Sequence, residues 1–214
     1  EHTDINHDLN SIKSIPIKSD SIKIAYSSHA IEHINEEAGK FLMEEVYRIL
    51  IPGGTFRITC PDAQFYYDAY RNNNIQVFLP ILNPHKLGVD YSRSSVQHFF
   101  LATFAGALHS DSRYTDCYID EIFNTMPFEE ALDHFIKLPL TDYGGGYFHQ
   151  NWFTENKMEM YMKNTGFEKI VATGPGKSRE PVFYSGQLYG FFDITTVGGS
   201  LLMECNKPLG FSVE

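Results

Sequence analysis

Residues 21–60 read as strand, helix, strand, and this order limits the possible folds more than any other stretch of the chain. Ser21-Ile22-Lys23-Ile24-Ala25-Tyr26 alternates, so Ile22, Ile24 and Tyr26 share one face of a strand. Asn35 is placed to cap a helix, with Glu36 and Glu37 in the first turn, where the helix dipole favours acids. Ala38, Phe41, Leu42, Val46 and Ile49 then recur at helical spacing, and Pro52-Gly53-Gly54 predicts the stop. Residues 55–60 predict a second strand, with Phe56, Ile58 and Cys60 alternating against Thr55, Arg57 and Thr59. Two strands joined through a helix run parallel with a right-handed crossover, so the expected class is α/β.

The rest of the chain changes character twice. Residues 63–150 are rich in Tyr and Phe and predict helices over 63–72, 95–109 and 127–138. Beyond them, Thr154 is a candidate N-cap for a helix to about Asn164, ended by Gly166. Strands are expected at 167–173 and near 200–205. The reading is an α/β core of residues 1–62 and 151–214, interrupted by a helical insertion, 63–150. Gly144-Gly145-Gly146 reads as a hinge between the two.

Composition removes several classes. Hydrophobic residues make up 43% and charged residues 21% of 214, which is ordinary for a globular chain and excludes collagen-like or disordered character. The formal charge of −10 argues against a nucleic-acid partner, since phosphate binding calls for a basic surface. The apolar run Phe99–Leu108 is about half of a membrane span. Cys60, Cys117 and Cys205 are widely spaced and odd in number, which suggests reduced thiols and a cytoplasmic location.

Two stretches carry a family resemblance. One joins Ile15-Pro16-Ile17-Lys18-Ser19-Asp20-Ser21 to Tyr26-Ser27-Ser28-His29-Ala30-Ile31-Glu32-His33; the other runs from Glu45-Val46-Tyr47-Arg48 through Pro52-Gly53-Gly54 to Cys60-Pro61-Asp62. With Trp152-Phe153-Thr154, Thr165-Gly166-Phe167, Gly176-Lys177-Ser178 and Ser200-Leu201-Leu202-Met203-Glu204, they resemble the class I S-adenosylmethionine-dependent methyltransferases. The nearest pattern is a bacterial branch of surface-sugar and related small-molecule pathways. The resemblance implies a Rossmann-like sheet with the insertion after its fifth strand, S-adenosylmethionine as cofactor and S-adenosylhomocysteine as product. It implies a polar small-molecule acceptor, such as a sugar, nucleotide-sugar or phosphorylated metabolite of polysaccharide biosynthesis, methylated on oxygen or nitrogen. His2–Leu9 resembles the third strand, so the chain is expected to begin roughly fifty residues into the family's domain, with the glycine-rich loop upstream of it. On that expectation the 214 residues alone bind cofactor poorly.

Matched residue by residue, the resemblance places Asp8 and Leu9 at the adenine, through a carboxylate and a backbone N–H, and Ser27, Ser28 and His29 beside the methionine part. Asp62 and His149 are the expected acceptor-side residues, either one a candidate base for a hydroxyl proton. Tyr66, Tyr67, Tyr70, Tyr91, Phe99, Phe100, Tyr143, Tyr147 and Phe148 either shape a pocket or form the insertion's own core. Lys86, Arg93, Arg113 and Arg179 either pair with an acceptor phosphate or are scattered surface charges.

Two other classes stay open. His29-Ala30-Ile31-Glu32-His33 fits H-x-x-E-H, a zinc-hydrolase pattern that requires both His on one helical face. No metal ligand is assigned on the methyltransferase reading. A methyltransferase-like module that binds without catalysis is the other. Gly174-Pro175-Gly176-Lys177-Ser178 fails as a phosphate loop because Val171 stands where its first glycine belongs.

Overall fold

The computed structural model describes residues 5–79, 95–105, 114–137, 149–184 and 198–210. Strand β1 (Ile22–Ser28) leads through a single 3-10 turn, Ile31–His33, into helix α1 (Glu36–Ile49). Asn35 caps α1, its side chain accepting from the Ala38 amide at 2.9 Å. Strand β2 (Leu50–Pro61) follows at once and pairs parallel to β1. The expected βαβ unit is therefore present. Pro52-Gly53-Gly54 does not stop the helix, as the sequence suggested, because α1 already ends at Ile49. The triplet bulges within β2, where the register slips between Ile22 and Ile24. A side chain at Gly54 would put Cβ 2.8 Å from the Ile51 carbonyl, so only glycine fits the bulge.

Helix α2 (Ala63–Arg71) opens the helical middle, followed by α3 (Val96–Ala105), α4 (Asp116–Thr125) and α5 (Phe128–Ile136). Helix α4 was not anticipated. Its Thr115 cap and its buried Ile119 and Phe123 carry a signal of little more than two turns. These helices share one core, in which Tyr70 and Phe100 stack at 5.0 Å and Tyr67 meets Phe128 at 4.3 Å. Tyr66, Tyr67, Tyr70, Phe99 and Phe100 thus pack on one another and on their neighbours. Tyr91, Tyr143, Tyr147, Phe148 and the glycine triplet at 144–146 lie outside the described residues.

The chain closes with α6 (Glu155–Thr165), β3 (Glu168–Ala172), a one-turn α7 (Pro181–Tyr184) and β4 (Ser200–Asn206). The sheet order is β1-β2-β4-β3, with β4 antiparallel to both neighbours. Helices α1 and α6 cover one face, packing Leu42, Met43, Val46, Met158 and Met162 against Phe56 and Ile58. The opposite face of β2 was expected to be its polar side, yet Thr55, Arg57 and Thr59 are buried as deeply as the apolar set. Arg57 explains this. Its guanidinium donates to Thr173 Oγ1 (3.0 Å), the Gly174 carbonyl (3.2 Å) and the Lys177 carbonyl (3.1 Å), and faces the Glu204 carboxylate at 3.4 Å. The 174–178 segment thus folds over the sheet and closes its second face.

Residues 5–9 form no ladder, so the strand expected over His2–Leu9 is absent from their described part. His7 and Leu9 instead line a small cavity with Phe41, Leu42 and Glu45 of α1, and farther along the chain the Glu45 carboxylate accepts from the Ile15 amide at 2.6 Å while Arg48 donates to the Ile15 and Ile17 carbonyls. The backbone groups of Ile15 and Ile17 are thus satisfied by α1 side chains.

Candidate functional site

Because β1 and β2 run parallel, their carboxyl ends lie side by side, the place where open α/β sheets hold ligands. The His29 amide extends the ladder, donating to the Thr59 carbonyl at 2.9 Å. His29 then turns the chain in the left-handed region, at φ 46°. That conformation is strained for a residue with a Cβ and marks a position the surroundings over-determine. Its Nε2 meets Ser200 Oγ at 3.1 Å, and its Nδ1 stands 3.2 Å from Glu32 Oε1.

The segment before α6 is stitched onto this turn. The Gln150 and Asn151 amides donate to the Glu32 carbonyl at 2.7 and 3.1 Å, and Gln150 Nε2 donates to the His33 carbonyl at 2.8 Å. His149 is thereby carried against His33, ring centroids 4.8 Å apart and nearly perpendicular. One ligating atom each from Glu32, His33 and His149 lie within 4.8 Å of one another.

Glu32 is 2% exposed, and neither carboxylate oxygen accepts a hydrogen bond among the described residues. Leaving such a group unmatched costs several kcal/mol or more by itself, roughly the worst kind of buried polar atom. It borders a small cavity of about 10 Å³, lined also by Ala63, Phe104, His149, Asn151 and Trp152. His149 Nδ1 lies 3.1 Å from the Phe104 carbonyl. A carbonyl only accepts, so the proton sits on Nδ1 and Nε2 keeps its lone pair. Burial pushes the His149 pKa down to about 4, against the opposing pull of Glu32, so the imidazole is neutral at neutral pH.

The other expected residues divide. Ser27 and Ser28 stand half-buried at the end of β1, opposite Ile58 and Thr59. Asp8 is exposed in a turn, its Oδ1 accepting from the Asn10 amide at 3.0 Å. Asn10 Oδ1 accepts in turn from the Asn35 amide at 3.3 Å, which brings the turn close to the start of α1 and so to the same end of the sheet. The Leu9 side chain packs into the sheet–helix core. Asp62 caps α2, accepting from the Gln64 and Phe65 amides at 3.0 and 3.2 Å, while burial raises its pKa. Arg179 donates to the Lys169 carbonyl on β3 at 2.9 Å, while Lys86, Arg93 and Arg113 lie outside the described residues.

The H-x-x-E-H pattern does not form the helix a zinc hydrolase needs, since His29 is left-handed and only one 3-10 turn follows. What sequence reading missed is the grouping itself: Glu32 and His33 meet His149 rather than pairing His29 with His33. The only hint was a His shortly before the Trp152-Phe153-Thr154 helix start.

Residues 2–58 match the family model described as a methyltransferase domain. No curated protein matches the chain. Among solved structures, similar folds include a Haloferax volcanii methyltransferase in complex with the Trm112 activator (12% identity, TM-score 0.40, covering 97% of this chain and 64% of that one). Others are a Methanosarcina mazei SAM-dependent methyltransferase (11%, 0.44, 95% and 66%) and the Haemonchus contortus phosphoethanolamine N-methyltransferase 2 in complex with S-adenosyl-L-methionine (12%, 0.37, 91% and 35%). The chain spans less than two thirds of the length of each of these. Residues 2–58 are thus similar to a methyltransferase domain, and the mixed α/β sheet is consistent with a Rossmann-like fold.

Proposed function

We propose that this protein transfers a methyl group from S-adenosylmethionine to an oxygen or nitrogen of a polar small molecule, in the sugar, nucleotide-sugar or phosphorylated-metabolite class of surface-glycan synthesis. The observation that carries the reading is the polar cluster at the joined carboxyl ends of β1 and β2, built largely from the segment that matches the methyltransferase family. The residues there suit the cofactor. Hydroxyls from Ser27 and Ser28 and the strained His29 border the strand end, and the exposed Asp8 turn is tied to the start of α1. Asp8 and the Leu9 amide would hold the adenine, and Ser27, Ser28 and His29 the methionine part. The cofactor supplies an electrophilic methyl on sulfonium. The chain supplies alignment and exclusion of water.

We place Asp62 and His149 on the acceptor side, with residues 63–150 as the element that shapes the acceptor pocket. Of the two, His149 has the unprotonated nitrogen, while the Asp62 carboxylate is occupied as a helix cap. We place the protein in the cytoplasm on the strength of its unpaired cysteines. No described helix is long and apolar enough to cross a membrane.

The test is cofactor binding by calorimetry on the full-length protein. Asp8→Ala is expected to weaken S-adenosylmethionine binding by about 1–3 kcal/mol, the loss typical of a hydrogen bond to a buried or charged partner. Unchanged affinity removes Asp8 from the site.

A further inference from the structure

The Glu32 carboxylate has His29 Nδ1 3.2 Å from Oε1 but no hydrogen bond to either oxygen among the described residues. It is almost fully buried, both oxygens lack a hydrogen bond, and it faces a cavity of about 10 Å³, room for roughly one water or one ion. Two imidazoles reach the same point. His149 presents Nε2 as a lone pair because the Phe104 carbonyl holds its Nδ1 proton, and His33 Nε2 lies 4.0 Å from Glu32 Oε1. A backbone carbonyl on the far ring nitrogen is the usual way a protein fixes the tautomer and orientation of a metal-bound histidine. His29 Nδ1, 3.2 Å from the carboxylate, is placed to steady it from outside.

We propose that Glu32, His33 and His149 bind a divalent first-row transition-metal ion of the zinc type. Two imidazole nitrogens and one carboxylate oxygen favour such an ion over magnesium or calcium, which prefer all-oxygen sites. Ligands bound at about 2.0–2.2 Å sit roughly 3.3 Å apart, so the present spread of up to 4.8 Å closes by about 1.5 Å. The His33 side chain is 36% exposed, against 2% for Glu32. The site borders the place assigned to the acceptor and rests in part on the proposed function. With an ion bound, the His149 lone pair would be engaged as a ligand, and the ion would supply Lewis acidity beside the acceptor.

The experiment uses the full-length protein stripped with chelator and titrated with zinc chloride alone. Bound zinc is read by elemental analysis, and the melting temperature is followed. About one equivalent and a raised melting temperature are expected for the unaltered protein, with zinc affinity at least about tenfold weaker in His33→Ala and Glu32→Gln. His33 is partly exposed, so that variant keeps the test readable if Glu32→Gln folds poorly. Cobalt(II) in place of zinc should give a visible absorption band that His149→Ala loses. Less than a tenth of an equivalent of zinc in the unaltered protein overturns the site and leaves a water as the partner of Glu32. Full retention in His33→Ala and Glu32→Gln overturns the ligand assignment. Cofactor binding measured on the same samples separates the two readings, because a protein that binds S-adenosylmethionine but no zinc loses this inference alone.

Discussion

Replacing Arg57 with alanine is expected to lower the unfolding free energy by about 3–5 kcal/mol, the range for breaking a buried ion pair from one side. Arg57 is fully buried and Glu204 is 1% exposed, 3.4 Å apart. The truncation leaves the Glu204 carboxylate in the interior with Ser178 Oγ and the Arg179 amide as its donors among the described residues. It also strips the Gly174 and Lys177 carbonyls of their guanidinium donor. Those carbonyls belong to the segment that covers the second face of β2, so the cover loosens with the charge. Replacing both partners, Arg57→Met with Glu204→Leu, should recover part of the loss but not all of it, because the carbonyls still lose their guanidinium donor and keep only the Thr173 hydroxyl and the Lys177 amide among the described residues. Urea denaturation measures both. A loss under about 1 kcal/mol for Arg57→Ala would show that the network contributes little beyond its own desolvation cost.

His149→Ala should lower turnover of the full-length enzyme by about 10²–10⁴ while cofactor affinity stays within twofold, a loss confined to the acceptor side. The imidazole is neutral, with one nitrogen committed to the Phe104 carbonyl and the other directed by that commitment. A purely structural role predicts the opposite pattern. The Phe104 carbonyl would lose its partner, the melting temperature would fall, and turnover would drop only with the folded fraction. Measuring turnover, cofactor affinity and melting temperature on this one variant decides between them. Full activity with full stability would remove His149 from the site and turn attention to Asp62 or to an acceptor acidic enough to need no base.

The parts of this structure that could be read from the sequence are those set by local rules. The alternation at Ile22–Tyr26, the cap at Asn35 and the spacing of α1 specify the βαβ unit without reference to anything distant. Thr154 and Gly166 bound α6 for the same reason. The features that escaped depend on partners far along the chain. Thr55, Arg57 and Thr59 look like an exposed face because the 174–178 segment that buries them lies more than a hundred residues on. The 5–9 segment is a strand by family resemblance, yet it forms no ladder among the described residues and its His7 and Leu9 side chains lie against α1. At the site, the family resemblance together with the strand-end position pointed to Ser27, Ser28 and His29. The meeting of Glu32 and His33 with His149 depends on the Gln150 and Asn151 amides docking on the Glu32 carbonyl, a tertiary contact with no local signature.

The central claim is that the joined carboxyl ends of β1 and β2 hold the cofactor. Amide chemical-shift mapping of the full-length protein on addition of S-adenosylhomocysteine tests it most directly. The predicted result is saturable binding with the largest perturbations at Ser27, Ser28 and His29 and at the Asp8–Leu9 turn, and little change along α4 and α5. Binding that leaves those five amides unmoved, or no binding at millimolar ligand, would contradict the account.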